Sequence, residues 1–389
     1  MQNKKNPFGN SNVRVPFFKP SISKSDRKVV DNALKSNILT NGSNLDNFEK
    51  NFSKFTNSKF AIGVSNATSA LHLSLKALGI RKGDEVIVPD ITFVATATSV
   101  LLSGATPVLA DVDENLNLSI DSIKKSLTRK TKAIIPVHFA GKACQIKKIK
   151  KIANSHNLKL IEDCAHAIGT SIDNKHVGTF GDAGCFSFYP TKNITTLEGG
   201  MVITQSKKIF QNICSLRNHG ITKTLFQRYS KGYPWEYDVL EPGYNYRLDE
   251  IRAALGINQL KQLKKLNKLR RNAFKYYNQK LKNKEGIITP NIQNDEEHSC
   301  HLYILKITKE FGISRNELFQ KLQSSGIMTS VHYKPLHKFT LFKKTCKTYD
   351  SLKNSKSYYD QIISLPMFPS ISTKEQNYVI KHILINLKR

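Results

Sequence analysis

The stretch FSFYPTKNITTLEGGMV, residues 186–202, places a lysine between two strand-like runs. Aromatic residues favour a strand around 186–188, and a second apolar run begins at the glycine pair 199–200. Lys192 lies in the loop between the two runs. A lysine next to buried strands costs free energy unless it is paired, neutral or covalently used. The surrounding sequence therefore has to account for this side chain.

Apolar runs alternate with helical patterns from about residue 60 to residue 205. The strand-like runs are AIGV (61–64), EVIVP (85–89), TPVLADV (106–112), KAIIPVH (132–138), LKLIED (158–163), GCFSF (184–188) and GMVIT (200–204). Stretches with helical spacing, such as residues 68–79 and 145–157, separate several of these runs. This alternation predicts an α/β domain built around a mainly parallel sheet.

The remainder of the chain predicts two further parts. A chain of 389 residues exceeds the length, about 250–300 residues, at which one core usually divides into domains. A long helical pattern begins at Asp249, and a smaller α+β pattern follows from about residue 285. We predict an N-terminal arm with the first helix at 1–30, a large domain at 31–260, and a linking helix with a small domain at 261–389.

The composition is strongly basic, with 60 lysines and arginines, 30 acidic residues and a formal net charge of +30. Such a charge can indicate a nucleic-acid partner. No helix-turn-helix, zinc-finger or RNA-recognition signature accompanies it, and the lysines are spread over many stretches, which argues against a nucleic-acid partner. We favour steering of an anionic small substrate.

The cysteine content and the apolar runs bear on the compartment. The six cysteines are scattered and none forms a CxxC pair, which favours free thiols and argues against a zinc site. No apolar run approaches the roughly 18 residues of a membrane helix, and the first residues lack a signal-peptide pattern. We expect a cytoplasmic protein without a membrane partner and without a bound metal.

A carboxylate accompanies the lysine. Asp163 ends the run LKLIED, at the carboxyl end of a strand, where open α/β sheets bind ligands. Lys192 follows 29 residues later, also just past a strand, so the two side chains are expected to share a pocket. In pyridoxal phosphate (PLP) chemistry a lysine forms a Schiff base and an aspartate holds the ring nitrogen protonated. The spacing alone leaves a structural ion pair equally open.

A potential phosphate site lies upstream. SNATSALHL (65–73) follows the run 61–64 and opens a helix. Asn66, Thr68 and Ser69 would stand beside the free N–H groups of that helix N-terminus, which is a favourable place for a phosphate. The same residue types are also ordinary helix caps.

Ordered motifs over nearly the whole chain resemble the DegT/DnrJ/StrS-type nucleotide-sugar aminotransferases, which are PLP enzymes of the aspartate-aminotransferase fold. The motifs are NATSALHLSLKALGI (66–80), VIVPDITFVATATSVLLSGATPVLADVD (86–113), IEDCAHAIGT (161–170), GTFGDAGCFSFYPTKNITTLEGG (178–200), LRNHG (216–220), GYNYRLDEIRAALGINQL (243–260) and VHYKPLH (331–337). The resemblance implies PLP fold type I: a large domain with a mainly parallel seven-stranded sheet flanked by helices, and a smaller C-terminal α+β domain.

The resemblance also implies a role for individual residues around the cofactor ring. Lys192 would form the Schiff base and then move the proton between the substrate carbon and the cofactor. Asp163 would pair with the pyridine nitrogen through a charge-assisted hydrogen bond. Phe93 would stack on the ring and His166 would contact the ring hydroxyl. A core position for Phe93 and a structural role for His166 are the alternatives.

The same resemblance implies phosphate and substrate contacts. Ala67, Thr68 and Ser187 would hold the phosphate, although Ser187 can also simply fill a strand. Asn245 would reach the phosphate from the neighbouring subunit, which implies a homodimer with shared active sites. The candidate substrate contacts are Arg247, for which a structural role is the favoured alternative, together with Thr40 and His332.

One position departs from the family pattern. Leu197 stands before EGG, where relatives often have glycine. We expect this side chain to narrow the mouth of the pocket without changing the chemistry.

The predicted reaction follows from the resemblance. Relatives that lack the cofactor lysine are dehydratases, so Lys192 favours transamination. The segment VHYKPLHKFTLF (331–342) is similar to enzymes that aminate C4. We predict transfer of the amino group of L-glutamate to C4 of a UDP-, GDP- or dTDP-linked 4-keto-6-deoxyhexose. The alternatives are a C3-specific sugar or cyclitol aminotransferase, and a non-enzymatic regulatory protein with the same fold.

Overall fold

The apolar runs of the sequence form strands in the computed structural model, which describes residues 13–221, 233–291 and 298–387. The strands are β1 (Phe60–Val64), β2 (Glu85–Pro89), β3 (Thr106–Ala110), β4 (Thr131–Ile134), β5 (Lys159–Asp163), β6 (Ser171–Ile172), β7 (Lys175–His176), β8 (Ala183–Ser187), β9 (Gly200–Thr204), β10 (Ile287–Ile288), β11 (Tyr303–Ile307), β12 (Lys347–Thr348) and β13 (Ile362–Leu365). The helices are α1 (Lys24–Leu34), α2 (Ser43–Thr56), α3 (Ala67–Ala77), α4 (Val94–Leu102), α5 (Ile120–Ser126), α6 (Ile146–Ser155), α7 (Lys207–Leu216), α8 (Glu250–Leu281), α9 (Arg315–Ser324), α10 (Thr340–Thr345), α11 (Lys353–Tyr359) and α12 (Thr373–Leu384).

The central sheet has the strand order β1-β9-β8-β5-β4-β2-β3-β12 within the described ranges. From β8 to β12 all neighbours are parallel, whereas β9 is antiparallel to both β8 and β1. The predicted α/β fold with a mainly parallel sheet is confirmed. Seven strands are the predicted runs, and the two exposed residues of β12 add an eighth at the edge. Two polar residues show no strand pattern, so β12 could not be predicted from the sequence.

Several of the predicted site residues lie at one edge of the central sheet. Parallel strands bring their carboxyl ends together, and Asp163 ends β5 while Ser187 ends β8. Because β9 runs the other way, its first residue, Gly200, lies at this edge and pairs with both Ser187 and Val64. Val64 ends β1, and α3 begins three residues later. The start of α3 therefore lies beside the ends of β8 and β5.

Helices cover both faces of the sheet. On one face, α3 is buried almost along its whole length, and its leucines pack with apolar residues of β1, β2 and β5. On the other face, Phe48 and Phe52 of α2 contact Phe186 and Phe188 with ring centroids 5.1–5.7 Å apart. The two apolar layers fix the sheet rigidly, which keeps its carboxyl edge in a defined geometry.

The helix α8 spans 32 residues and joins two packed regions. Leu260 and Leu263 pack with the central sheet, whereas Phe274 and Tyr277 pack with the small sheet β10-β11-β13. The domain boundary predicted after residue 260 falls inside this helix, and that division stays a prediction. No helix in the described parts of the chain is both long and apolar enough to cross a membrane.

Candidate active site

The N-terminus of α3 forms a polar corner at the sheet edge. Asn66 caps the helix: its side-chain oxygen accepts from the N–H of Ser69 at 2.8 Å. The geometry of a helix start leaves the N–H groups of Ala67 and Thr68 without partners in the helix. Such groups, together with the helix dipole, favour an anion.

Gly200 allows the strand β9 to approach this corner. A Cβ atom at Gly200 would lie 2.5 Å from the carbonyl of Asn66 and 2.8 Å from the backbone nitrogen of Ala67. Both distances are too short for any side chain, so only glycine fits. Ser187, the residue paired with Gly200, adds a hydroxyl at the same corner. The pairing of Ser187 with Gly200 and the approach of Gly200 to Ala67 place these residues and Thr68 at one corner, and their contact with a phosphate stays a prediction.

Asp163 is buried at the end of β5, with 5% of its surface exposed. Its carboxylate accepts hydrogen bonds from the Thr96 hydroxyl at 2.9 Å and from the Ala165 N–H at 3.1 Å. Burial raises the pKa of Asp163 above its ordinary value, although these hydrogen bonds and Lys192 act in the opposite direction. A buried carboxylate of this kind is suited to a cationic partner.

Lys192 lies in the turn after β8, where its N–H donates to the carbonyl of Tyr189 at 2.9 Å. Burial of the amino group lowers the pKa of Lys192 to about 8, and the nearby Asp163 limits the decrease. A substantial fraction of the amine is therefore neutral near physiological pH. A neutral amine is the nucleophilic form, so burial makes Lys192 suited to covalent chemistry.

His166 and Tyr333 form a pair beside this centre. His166 is buried, its Nδ1 accepts from the N–H of Ala140 at 3.3 Å, and its Nε2 lies 3.0 Å from the Tyr333 hydroxyl. Burial lowers the pKa of His166 well below its usual range, and Lys192 contributes to the decrease. The imidazole is therefore neutral.

Phe93 is not a core residue in this chain, because 55% of its surface is exposed. It precedes α4, and its ring centroid lies 5.8 Å from that of Tyr333. An exposed aromatic ring beside a polar centre offers a stacking surface for a flat ligand.

The candidate substrate contacts occupy two different places. His332 faces Lys192, which together with burial lowers the pKa of His332 to about 3. The imidazole stacks on Phe17 of the N-terminal arm at 5.5 Å, and its Nδ1 lies 2.8 Å from the Ser364 hydroxyl. Phe17, His332 and Lys192 line a cavity of about 40 Å³.

The other candidates lie along the segment before α8. Arg247 pairs with Val64 through its backbone and donates to the Asn218 side chain at 2.7 Å. Asn245 and Thr40 are exposed, and their backbone bridges are to Asn218 and Asp249. Neither Asn245 nor Thr40 lines the cavity that contains Lys192.

Leu197 has a left-handed backbone, with φ of 68°, and is 59% exposed. A leucine in this conformation is strained, whereas glycine adopts it freely. This conformation explains why glycine suits the position.

A second polar cluster lies next to Asp163 in sequence. His138, Glu162 and Cys164 are buried, and their potential ligand atoms all lie within 4.8 Å of one another. The Glu162 carboxylate already accepts from His138 Nε2 and from three backbone N–H groups, and His138 Nδ1 accepts from the Cys144 N–H. Because the protein occupies these atoms itself, we interpret the cluster as structural support for β5.

A cavity with a larger volume lies apart from these groups. It has a volume of about 700 Å³ and lies between the loop 113–117 and the residues Lys142, Lys306 and Tyr358. Neither Lys192 nor Asp163 lines this cavity. The reactive groups, not the volume, identify the active site.

Sequence reasoning missed Thr96, Gly200 and Tyr333. The i, i+4 spacing of Thr92, just before α4, and Thr96, in its first turn, was an available signal, since their hydroxyls lie 2.9 Å apart and the Thr96 hydroxyl donates to Asp163. Tyr333 lies in the motif VHYKPLH (331–337), but its partner His166 lies 167 residues away along the chain.

The arrangement fits a ligand with a phosphate, a protonated ring nitrogen, a flat ring and an aldehyde. The anion corner suits the phosphate, Asp163 the ring nitrogen, Phe93 the ring face and Lys192 the aldehyde carbon. The close approach of Gly200 is additional support, because it brings the start of β9 against the N-terminus of α3. The fold and the site define an aminotransferase of fold type I that uses PLP.

The chain belongs to the DegT/DnrJ/EryC1/StrS aminotransferase family, whose model matches residues 20–384. The spore coat polysaccharide biosynthesis protein SpsC of Bacillus subtilis is 39% identical, over 95% of this chain and 96% of SpsC. PseC of Helicobacter pylori, an aminotransferase involved in the biosynthesis of pseudoaminic acid, superposes with a TM-score of 0.89 and 32% identity, covering 96% of this chain and 99% of PseC. Spr1654 of Streptococcus pneumoniae, described as a sugar aminotransferase and solved in its PMP form, also gives 0.89, with 28% identity over 96% of this chain and 99% of that one.

Proposed function

We propose that the protein transfers the amino group of L-glutamate to the C4 keto carbon of a nucleotide-linked 4-keto-6-deoxyhexose. The observation that carries the aminotransferase chemistry is the pairing of Lys192, with a pKa of about 8, and the buried Asp163 in one site. The sugar substrate is supported by SpsC, PseC and Spr1654, whose descriptions all concern sugar or polysaccharide synthesis.

The residues of this chain would divide the work as follows. The N–H groups of Ala67 and Thr68 would bind the phosphate of the cofactor, with the Ser187 hydroxyl beside them. Asp163 would hold a proton at the ring nitrogen, and PLP then acts as an electron sink for the carbon that gains or loses nitrogen. Lys192 Nζ, close to half-protonated near pH 8, can accept and return a proton at that carbon.

The choice of C4 depends on the segment 331–342, which resembles that of C4-aminating enzymes. In the structure this segment carries His332 and Tyr333 into the cavity at Lys192. A substrate that approaches Lys192 would therefore meet side chains from the segment on which the C4 assignment depends.

The assignment can be tested with the purified holoenzyme, L-glutamate and a panel of UDP-, GDP- and dTDP-linked 4-keto-6-deoxyhexoses. We expect 2-oxoglutarate to form with at least one member, and NMR of the product to place the new amine on C4. Amination at C3, or turnover of a cyclitol ketone alone, would contradict the proposal. Lys192→Ala provides the inactive control.

We also propose a homodimer with shared active sites. Several large apolar side chains are exposed in the described single chain, including Leu34, Ile38, Leu197, Trp235 and Leu240, with exposed fractions of 56%, 60%, 59%, 71% and 75%. A surface of this kind is typical of an interface. Asn245 is exposed on a neighbouring segment, as a residue that serves a partner's site must be.

Subunit mixing tests the shared sites. Lys192→Ala and Asn245→Asp are each expected to impair the enzyme, the second because a carboxylate repels the phosphate. If the two residues belong to the same site across the interface, each mixed dimer contains one intact site, and random mixing restores about a quarter of the activity. No recovery, in a sample shown to exchange subunits, would mean that each chain supplies both residues to its own site.

A further inference from the structure

Tyr333 extends from the segment 331–337 towards the reactive groups. It lines the cavity that contains Lys192. Its ring centroid lies 5.8 Å from Phe93, 6.0 Å from Phe139 and 6.0 Å from His166. Burial, with a contribution from Asp163, raises the pKa of Tyr333 above its ordinary value. The hydroxyl therefore keeps its proton at neutral pH and is available as a donor.

The hydrogen bonds of His166 determine the direction of that proton. The N–H of Ala140 donates to Nδ1, so Nδ1 carries no hydrogen. In the neutral imidazole the hydrogen is then on Nε2, which lies 3.0 Å from the Tyr333 oxygen. Since Nε2 donates to this oxygen, the hydroxyl hydrogen of Tyr333 must point to another acceptor. In the described part of the chain, no further hydrogen bond of this hydroxyl is formed.

The anchors of the cofactor indicate which acceptor lies there. On the PLP ring, the phosphate arm and the hydroxyl flank the aldehyde carbon on opposite sides. The phosphate corner lies over β1, β9 and β8, and Asp163 on β5 faces the ring nitrogen. The hydroxyl side of the ring must then face away from β8, towards β4 and β2. Phe139 follows β4 and Phe93 follows β2, and Tyr333 packs against both.

We propose that the Tyr333 hydroxyl donates a hydrogen bond to the ring 3-oxygen of bound PLP, and that His166 is the positioning residue that directs this donor. The resemblance assigned the oxygen contact to His166, but both ring nitrogens of His166 are already engaged by Ala140 and Tyr333. The inference concerns the cofactor site of the proposed aminotransferase and does not depend on the identity of the sugar.

A clamp between two loops fixes the position of Tyr333. Asp90 is fully buried, and its carboxylate accepts from the His337 N–H at 3.0 Å and pairs with His337 Nδ1 at 2.7 Å. Its carbonyl accepts from the N–H of Leu336 at 2.8 Å. Asp90 lies three residues before Phe93, and His337 lies four residues after Tyr333. The clamp therefore holds the stacking ring and the donor in one arrangement.

The test uses Tyr333→Phe, which keeps the ring and removes the donor. We expect the Kd of PLP, measured by equilibrium dialysis, to rise about fivefold to tenfold, as for a lost hydrogen bond. We also expect the pH midpoint of the visible absorbance of the lysine-bound cofactor to rise by about one unit. Without the Tyr333 hydroxyl as a donor, the ring oxygen carries more negative charge. It therefore holds the proton on the neighbouring lysine-bound nitrogen more tightly, which raises the pH midpoint. Asp163, Lys192, His332 and His301 face the same space and stay unchanged.

Two His166 variants separate positioning from contact. His166→Leu should shift both readouts in the same direction as Tyr333→Phe, whereas His166→Gln, whose amide can both accept and donate, should restore them towards the native values. Tyr276→Phe is the matched control, since its hydroxyl bonds to Asn377 on the surface, and it should change neither readout.

The alternatives give different patterns. If His166 contacts the ring oxygen itself, His166→Leu shifts the readouts and Tyr333→Phe does not, and the proposal is overturned. If Tyr333→Phe leaves PLP binding and the pH midpoint unchanged but raises the KM of the keto sugar, the hydroxyl serves the substrate, and the proposal is again overturned. Should Tyr333→Phe fail to fold, Tyr333→Met, which fills much of the same space and also lacks the hydroxyl, takes its place, and unchanged readouts in that variant would overturn the proposal. Failure of the sugar assignment leaves both cofactor readouts unaffected.

Discussion

Glu162 and Asp163 are consecutive carboxylates on β5, and their environments differ sharply. Both are buried, with exposed fractions of 0% and 5%. Glu162 accepts hydrogen bonds from His138 and from three backbone N–H groups. Burial alone would raise the pKa of Glu162, but these hydrogen bonds lower it below its ordinary value. Asp163 accepts from one hydroxyl and one N–H group, and burial raises its pKa.

The difference shows how one strand separates support from chemistry. Successive side chains of a strand point to opposite faces, so Glu162 is turned towards protein donors and Asp163 towards the active site. A buried carboxylate that the protein fully satisfies stabilises the fold. One that is left with unused capacity beside a reactive lysine can bind a cationic ligand. Five experiments test this difference between the two carboxylates and the site around them.

Lys192→Ala should have the largest effect. Removing the amine eliminates both the nucleophile and the proton carrier, so we expect turnover to fall about 10⁴-fold or more. PLP should still bind noncovalently, which dialysis and absorbance can measure. Lys142→Ala, at the separate cavity, should retain activity. Normal turnover by Lys192→Ala would remove this lysine from the mechanism.

Asp163→Asn should have the next largest effect on turnover. The amide cannot hold a proton at the ring nitrogen electrostatically, and we expect kcat to fall about 10²–10³-fold. Because the folded-state pKa of Asp163 is raised, its ionised form opposes folding at neutral pH, so the apo variant should melt at the same temperature or higher. A large loss of stability together with intact kcat would reverse the roles assigned to the two carboxylates.

Glu162→Gln should give the complementary result. Its amide group would face backbone donors, and we expect unfolding to become easier by about 1–3 kcal/mol, measured by urea denaturation. The kcat of the folded fraction should stay close to the native value. If kcat falls as far as in Asp163→Asn with stability unchanged, the two carboxylates act together and the contrast fails.

Gly200→Ala tests the phosphate corner. The new methyl group would push the backbone of Asn66 and Ala67 out of place, so we expect the Kd of PLP to rise about tenfold, equivalent to about 1.4 kcal/mol. Gly63→Ala in the neighbouring strand β1 is the control, because the atoms nearest to its Cβ would be side-chain atoms of Leu45 and Leu248 and not backbone. That variant should lose stability without a specific change in PLP affinity.

The smallest effect concerns pH. With a pKa of about 8, the neutral fraction of Lys192 rises about fivefold between pH 7 and pH 8 and less than twofold above that. The rate at which the apoenzyme captures PLP covalently, followed by stopped-flow absorbance, should show this profile. A rate that keeps rising tenfold per pH unit up to pH 10 would indicate an ordinary lysine and contradict the predicted burial effect.

The sequence predicted those features that depend on local pattern. The seven main strands follow from apolar runs, and Asp163 and Lys192 follow from their positions at strand ends. Other contacts of the site join residues that are far apart in the sequence, so no local pattern predicts them. Tyr333 meets His166 across 167 residues, and Gly200 meets the start of α3 through strand pairing, so neither has a local signature. The two-residue strand β12 is too short to show a pattern.

The turn that carries Lys192 is secured at both ends. The N–H of Phe188 donates to the carbonyl of Gly199, and the N–H of Thr196 donates to the carbonyl of Phe188. Asn193, next to the lysine, donates to Asn267 on α8 and to the carbonyl of Ser299. Because these hydrogen bonds fix the turn, the Lys192 amine stays in the site even when it is not covalently bound. In the proposed mechanism, the effective concentration of this amine at the reacting carbon would exceed that of any dissolved amine, which would favour recapture of the cofactor over its loss to solvent.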